Sequence, residues 1–532
     1  MDRQSRGQRT EDRRQRTFVF FILSCVILMI VLVGIIAVSL RKIHAPKEIF
    51  AKPGKVVLRS LLAERGWYPA DSNELKRQIE SFFQKVDAKP MTNVVAFVLP
   101  HAGYAYSGQT AASALKTIDK KYKRIVVIGP SHYLAMEEVL SVPRVTHYQT
   151  PMGEIPLDVE FINKLLKYSM FQNVPYAHQY EHSVQIELPL LQYKQKDFEL
   201  VPIVAGHCSL ETINKAGRIL QGLIDQETLV VASSDFTHYG PRFDYVPFTE
   251  NVPEQIKKLD MGAYKYIAKL DGKGFLEYRQ RTGATICGYV PIAILLSMLQ
   301  KDIKTELIQY TTSGQLTGDF SNPVSYLSIV FSGVWPNHPE IKPQENDPEL
   351  TEEDKKELLT LARKTISYAL QNQQIPEASD LGATISDAMI CPRAAFVTLK
   401  KNSQLRGCIG DIFPQRPLYR SVILNAINAS LNDRRFVPVT EAECQDIKIE
   451  ISALTVPQPI DSYNKIRIGI DGVVLNKDGL SAVFLPQVAP EQNWDLDQML
   501  TQLSLKAKLP PDAWKEGANF LVFQADVFGE ER

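Results

Sequence analysis

The chain has 532 residues, which is too long for one ordinary hydrophobic core and predicts two to four domains. Its 60 basic side chains equal its 60 acidic ones, so no basic excess supports nucleic-acid binding, and we expect no nucleic-acid partner. Hydrophobic residues make up 45% and charged residues 23%, which is typical of a globular protein rather than a disordered or wholly membrane-embedded one.

The N-terminus differs in composition from the rest of the chain. Residues 1–17 form a basic tail with six arginines, and residues 18–40 form an apolar stretch without a charged side chain. As a helix this stretch is roughly 34 Å long, enough to cross a hydrocarbon core of about 30 Å. The pattern predicts one transmembrane helix at 18–40 and a basic linker at 41–55. Because exporting an arginine-rich tail is unfavourable, we expect a single-pass membrane protein with a cytoplasmic N-terminus and extracytoplasmic domains.

The next segment, residues 56–335, alternates apolar β-branched runs with helical patterns, for example at 73–86, 158–168 and 255–270. This alternation predicts a layered α/β domain. Residues 336–349 contain four prolines among charged and polar residues and are typical of an exposed linker.

Three of the apolar runs end at residues that carry chemistry. NVVAFVL precedes His101, RIVVIG precedes His132, and LVVAS precedes Asp235 and His238. Since the carboxyl ends of parallel strands meet at one edge of a sheet, we expect these side chains to share a crevice. The segment TICG adds Cys287. Imidazole, carboxylate and thiolate together are typical of a transition-metal site.

The histidine distribution supports a site in this domain. Seven of the nine histidines lie between residues 101 and 238, and none follows His338. Two alternatives stay open: a single histidine can be a half-buried structural residue, and Cys287 can be a buried apolar cysteine. A serine hydrolase using Ser131 or Ser234 is disfavoured, because the chain has no G-x-S-x-G motif.

Residues 350–532 are predicted to form an α+β domain. Thr351 and Asp354 are typical of a helix N-cap, and several short strand patterns follow the helix. The sharpest feature is Cys408 between two glycines, where we expect Arg406 to lie close enough to lower the thiol pKa. Cys408 is therefore a candidate catalytic nucleophile or carrier, and a small buried packing thiol is an equally good interpretation.

Ordered motifs in both domains match known families. The first domain resembles the Memo family, whose fold is similar to class III extradiol ring-cleaving dioxygenases, and the second resembles the AMMECR family. The first resemblance is carried by WYP from Trp67, PHAGYAYSG from Pro100, GPSH from Gly129, EHSVQIELPLL from Glu181, SSDFTHYG from Ser233 and TICGYVPI from Thr285. The second is carried by LRGCIG from Leu405, DRRFVPV from Asp433, EISALT from Glu450 and FLPQVAPEQNWD from Phe484.

The Memo resemblance implies a mononuclear metal held by His101, His132 and Cys287. It places Asp235 and His238 beside the metal and His182 on the pocket wall, as candidate catalytic residues. Extradiol enzymes use two histidines and one carboxylate, whereas a thiolate here favours iron or copper, with zinc as a further option. The expected function is dioxygenase-like redox chemistry on an unknown small molecule or peptide.

The joint resemblance has a further implication. In prokaryotes the two families recur with a radical-SAM protein as a three-part system, so such a protein is the expected partner. The alternative function is a non-catalytic module that binds a peptide or small ligand in a membrane-associated complex.

Overall fold

A computed structural model describes residues 54–335 and 348–530, and the chain from Val57 onward forms one compact unit. The strands are β1 Val57–Arg59, β2 Val94–Leu99, β3 Arg124–Pro130, β4 Leu140–Ser141, β5 His147–Thr150, β6 Gly153–Pro156, β7 Phe171–Gln172, β8 Glu199–Ala205, β9 Thr228–Ser233, β10 Lys304–Thr312, β11 Ser325–Ser332, β12 Ala395–Lys401, β13 Gln404–Gly410, β14 Ile447–Leu454, β15 Gln458–Ile460, β16 Gly472–Lys477, β17 Leu480–Phe484, β18 Asn519–Phe523 and β19 Ala525–Gly529.

The helices of the first domain surround its sheet, and those of the second lie against two smaller sheets. In the first domain they are Ser72–Gln84, Tyr104–Leu115, Val159–Leu165, Tyr176–Gln179, His182–Gln185, Glu187–Lys194, Leu210–Leu223, Val252–Ile267, Gly272–Thr282, Tyr289–Met298 and Ser313–Thr317. In the second they are Glu352–Asn372, Asp387–Ile390, Leu418–Ile427, Val488–Glu491 and Leu496–Lys506.

The first domain is built on an eight-stranded mixed sheet in the order β10-β11-β2-β9-β3-β8-β4-β7. Its central strands β2, β9, β3 and β8 run parallel. Every residue of β2 and β9 is buried, because helices cover both faces of the sheet. The layered α/β architecture therefore fits the sequence-based expectation, and β9 lies between the two strands that end at His101 and His132.

The second domain contains two antiparallel four-stranded sheets, in the orders β13-β12-β14-β19 and β15-β18-β16-β17. The first packs on helices Glu352–Asn372 and Leu418–Ile427, and the second packs on helix Leu496–Lys506. The long helix begins with a capping box in which Thr351 and Asp354 bond each other's backbone, as predicted. This α+β arrangement also fits the expectation.

The structure does not support the predicted transmembrane helix or the predicted single-pass membrane location, and both predictions are withdrawn. Among residues 54–335 and 348–530, no helix is both long and apolar enough to cross a membrane. The largely apolar helix Tyr289–Met298 has 10 residues, half of the about 20 that a span needs. The stretch 18–40, most of the linker 41–55 and most of the linker 336–349 lie outside the described residues.

Candidate metal centre

The parallel strands deliver three side chains to one edge of the sheet. His101 follows β2, Asp235 follows β9, and His132 follows β3. Although β9 separates the two histidine-bearing strands, the rings of His101 and His132 lean together until their centroids are 5.1 Å apart. The expected convergence at the carboxyl edge is therefore present.

Cys287 completes the cluster from the loop before helix Tyr289–Met298. The ligand atoms of His101, His132 and Cys287 all lie within 4.8 Å of one another, and Cys287 Sγ is 3.1 Å from His101 Nε2. Gly288 allows this approach, because a Cβ at that position would collide with the carbonyl of Ser233 and the side chain of Ser234. Two imidazoles and one thiol thus surround a single point.

Nδ1 of His101 is hydrogen-bonded to two buried polar side chains in series. The Ser233 hydroxyl donates to Glu187 Oε1 at 2.9 Å. The same hydroxyl therefore accepts from His101 Nδ1–H, also at 2.9 Å. This arrangement leaves the lone pair of Nε2 directed at Cys287. Such a partner fixes the tautomer and orientation of a metal-binding histidine. Sequence reasoning missed both Ser233 and Glu187.

His132 is held by a second carboxylate, Glu181, which sequence reasoning also missed as a site residue. Glu181 accepts from the backbone N–H of His132 at 2.6 Å, from His132 Nδ1 at 2.9 Å and from Ser183 N at 3.0 Å. Burial opposes its ionisation, but these bonds outweigh burial and hold the pKa of Glu181 at about 2. Burial likewise opposes protonation of His132, but its bonds to Cys287 and Glu181 raise its pKa to about 10.

His182 lines the wall of the cluster, as expected. Its ring stacks on the His132 ring with centroids 4.3 Å apart. The centroid of the Trp67 ring lies 4.6 Å from that of His182. Burial and the neighbouring His132 lower its pKa to about 3. Its Nδ1 is buried and has no hydrogen-bond partner among the described residues. His182 is therefore a neutral imidazole next to the candidate ligands, and its Nδ1 lies 3.4 Å from Glu181 Oε1.

Asp235 is close to the cluster but lies outside the candidate ligand set. One of its oxygens accepts from the backbone N–H of His101 at 2.8 Å, which holds the turn that carries the histidine. Burial raises the pKa of Asp235 to about 7, although bonds from the His101 and Ala102 backbone oppose this shift. Asp235 is thus a carboxyl group that can change protonation near neutral pH.

His238 is pinned by the backbone. Its Nδ1 lies 2.9 Å from the carbonyl of Phe236 and 3.0 Å from that of Thr285, so Nδ1 carries the hydrogen. Nε2 is an acceptor without a hydrogen-bond partner among the described residues. Burial lowers the pKa of His238, despite these two bonds. The remaining histidines of the segment lie elsewhere: His178 is bonded to Ser141 and Tyr148, His147 to Thr146, and His207 to Tyr289.

The nearby serines offer no hydrolase triad. Ser131 donates to the carbonyl of Leu134, and Ser234 donates to the carbonyl of Asp235. Both hydroxyls therefore bond to nearby backbone carbonyls.

A cation and two exposed tyrosines form the rim above His182. Arg65 lies 5.5 Å from the ring centroids of both Tyr133 and Tyr180, and donates to the Tyr133 hydroxyl at 3.3 Å. The Tyr133 ring in turn lies 5.9 Å from His182. This rim can recognise an aromatic or anionic group, and no sequence motif indicated Arg65.

The structure corrects the expected partner of Cys408. Opposite Leu399 and Lys400, β13 supplies Gly407 and Leu405, so Arg406 is the extra residue of a β-bulge. Its guanidinium turns away and binds both carboxylate oxygens of Glu443, at 2.8 and 3.0 Å. Burial raises the pKa of the Cys408 thiol, whose neighbours are Thr398, Arg435 and Lys506.

The fold and this cluster define an α/β protein with a candidate mononuclear metal site at the carboxyl edge of its sheet. The family profile described as "Memo-like protein" matches residues 63–330, and the one described as "AMMECR1" matches residues 359–528. The chain therefore belongs to the Memo-like protein family and carries an AMMECR1 domain after the Memo-like domain.

Relatives cover the first half of the chain. A MEMO1 family protein of Thermococcus onnurineus is 33% identical over 281 residues, which is 50% of this chain and 96% of the relative. One of Aquifex aeolicus is 33% identical over 272 residues, with the same coverage. Among solved structures, an uncharacterised protein of Pyrococcus horikoshii is 34% identical, covers 33% of this chain and 90% of its own, and has a TM-score of 0.30.

Proposed function

We propose that the Memo-like domain is a metal-dependent oxidoreductase that binds one iron or copper ion through His101, His132 and Cys287. The convergence of their three ligand atoms within 4.8 Å carries the proposal. The residues fit such an ion, because both imidazoles are oriented by partners on their other nitrogen. Three protein ligands also leave a coordination position for substrate or oxygen.

A bound iron or copper ion would supply Lewis acidity and a change of oxidation state. The protein side chains would orient the substrate and move protons. Asp235, with a pKa of about 7, and the free Nε2 of His238 are the candidate proton acceptors. The ring of His182, on the wall of the cluster, is a candidate contact for the substrate.

The test uses the purified full chain. Elemental mass spectrometry measures its metal content, and competition with a chelator measures its metal affinity. His101→Ala, His132→Ala and Cys287→Ser should each lower the affinity about tenfold or more. Cys287→Ser should also remove the visible thiolate-to-metal charge-transfer band of the Cu²⁺-loaded protein. His147→Gln is the matched control, because that histidine lies on β5 away from the cluster and its Nδ1 bonds to Thr146.

Two results would contradict the proposal. A native protein without stoichiometric metal would favour the alternative, ligand binding without turnover, which the Arg65, Tyr133 and Tyr180 rim supports. Retention of metal by Cys287→Ser together with its loss in Asp235→Ala would instead indicate a carboxylate triad.

We also propose that a radical-SAM protein is a partner of this chain. The presence of both families in one chain supports joint action with a radical-SAM protein in a modification pathway. Co-purification of the full chain with a radical-SAM protein encoded in the same genome tests it, with the Cys287→Ser variant showing whether the metal site is needed.

A further inference from the structure

The AMMECR1 domain contains a second cavity, remote in sequence from the metal centre. It measures about 600 Å³, within the usual range of about 300–1,000 Å³ for small-molecule sites. Both sheets of the domain contribute to it. Its apolar wall includes Leu405, Val483, Phe484 and Leu485, and Cys408 lines it from β13.

Most charges around this cavity are already neutralised. Lys400 pairs with Glu450 at 2.9 Å, and Arg435 pairs with Asp433 at 2.7 Å. Glu491 is exposed. The remaining cation is Lys506.

Lys506 has no carboxylate within ion-pair distance in the part of the chain that the structure describes. Its Nζ donates to the carbonyl of Val483 at 2.9 Å and lies 4.7 Å from the ring centroid of Phe484. Desolvation in this setting lowers the pKa of Lys506. The Lys506 side chain is exposed to solvent, and a cation that lines a cavity without a paired anion is the complement of an anionic ligand.

A second observation also indicates a ligand. Gln487 lines the same cavity, and its Oε1 is buried without a hydrogen-bond partner among the described residues. A buried amide oxygen without a donor is uncommon in folded proteins and is satisfied when a ligand supplies one.

We propose that this cavity binds a small organic carboxylate that also carries a hydrogen-bond donor for Gln487. The carboxylate contacts Lys506, and the apolar body packs on Phe484 and Leu485 beside the Cys408 thiol. This site belongs to the AMMECR1 domain and is independent of the redox function proposed for the metal centre.

The test uses Cys408 as a reporter of local charge. Iodoacetate and iodoacetamide both react with the thiolate, forming a carbon–sulfur bond and releasing iodide, but only iodoacetate carries a negative charge. Their rate ratio cancels the thiolate fraction, so it is insensitive to the thiol pKa. Rates at Cys408 are read by peptide mass spectrometry of the full chain at about pH 8.5, where thiolate is present, and are divided by the ratio for N-acetylcysteine.

The expected normalised ratio is about three or more at low salt, falling as salt screens the charge. Lys506→Gln should bring it close to one. Lys515→Gln is the control, because that lysine lies beside Trp514 outside this cavity and should leave the ratio unchanged.

A second arm tests the apolar part of the ligand. 4-Phenylbutyrate should slow alkylation of Cys408 by iodoacetamide more than acetate does at the same concentration. A normalised ratio of one in the unmodified protein, alkylation only after unfolding, or equal protection by the two carboxylates would each overturn the proposal.

Discussion

Replacing Glu181 by Gln changes the residue that orients His132 and leaves all three proposed metal ligands in place. The change keeps the shape of the side chain but turns one acceptor oxygen into a donor that faces an N–H of His132 or Ser183. Hydrogen bonds to a charged group contribute about 1.5–3 kcal/mol each, and one or more must be lost. The drop of the Glu181 pKa from 4.5 to about 2 leads to a similar figure, about 3 kcal/mol at 1.36 kcal/mol per unit.

The pH dependence of this loss has a definite sign. The pKa of Glu181 is depressed in the folded state, so its stabilisation is complete above about 4.5 and disappears as the pH falls towards about 2. In chelator-stripped protein, Glu181→Gln should therefore lower the free energy of unfolding by about 3 kcal/mol at pH 7 and by clearly less at pH 3. Denaturant unfolding at the two pH values measures the difference.

The same variant should also weaken metal binding. Because Glu181 orients His132, we expect a loss of about 10- to 100-fold in affinity with all three proposed ligands still present. Glu277→Gln, an exposed residue paired with Lys273, is the control. An unchanged metal affinity, or an equal loss of stability at pH 7 and pH 3, would refute this reasoning.

Three further changes test other contacts. Gly288→Ala should destabilise the protein by about 1–3 kcal/mol in thermal unfolding and reduce its metal content, because the new Cβ collides with Ser233 and Ser234. Gly54→Ala is the control and should be neutral, because its Cβ meets no atom within 4 Å. Ser233→Ala should lower metal affinity by about tenfold in chelator competition, because His101 Nδ1 loses its partner, with Ser131→Ala as the control. Arg420→Ala should increase proteolysis of the full chain by trypsin between the two domains, because it removes the 3.1 Å ion pair to Glu137 of the Memo-like domain, whereas Arg467→Ala should not.

The strands that build the metal centre could be predicted because their chemistry is local. The central strands are largely apolar runs that are buried on both faces, and a site residue lies two positions beyond the end of each. The convergence of His101 and His132 then follows from the parallel order of the strands. Cys287 was grouped with them by its motif, and the structure brings its sulfur to His101.

The supporting residues could not be predicted in the same way. Glu187 is far from His101 in sequence, and only the tertiary fold places Ser233 between the two side chains. The predicted position of Arg406 was wrong for a different reason. The two glycines around Cys408 suggested a tight turn that brings Arg406 close to the thiol, but the segment is a strand with a bulge at Arg406. Pairing irregularities of this kind depend on the neighbouring strand and leave no simple pattern in the chain.

The two domains are in contact, and the contact reaches the segment that carries a proposed ligand. Glu137, five residues after His132, donates its backbone N–H to the carbonyl of Gln415 at 2.9 Å and accepts from Arg420. Phe413 of the AMMECR1 domain packs into the core of the Memo-like domain, 6.2 Å from the ring of Tyr176. A shift of this segment is one route by which a ligand in the AMMECR1 cavity can act on the metal centre. Metal affinity of the Arg420→Ala variant, measured with and without 4-phenylbutyrate, would therefore show whether the two sites are coupled.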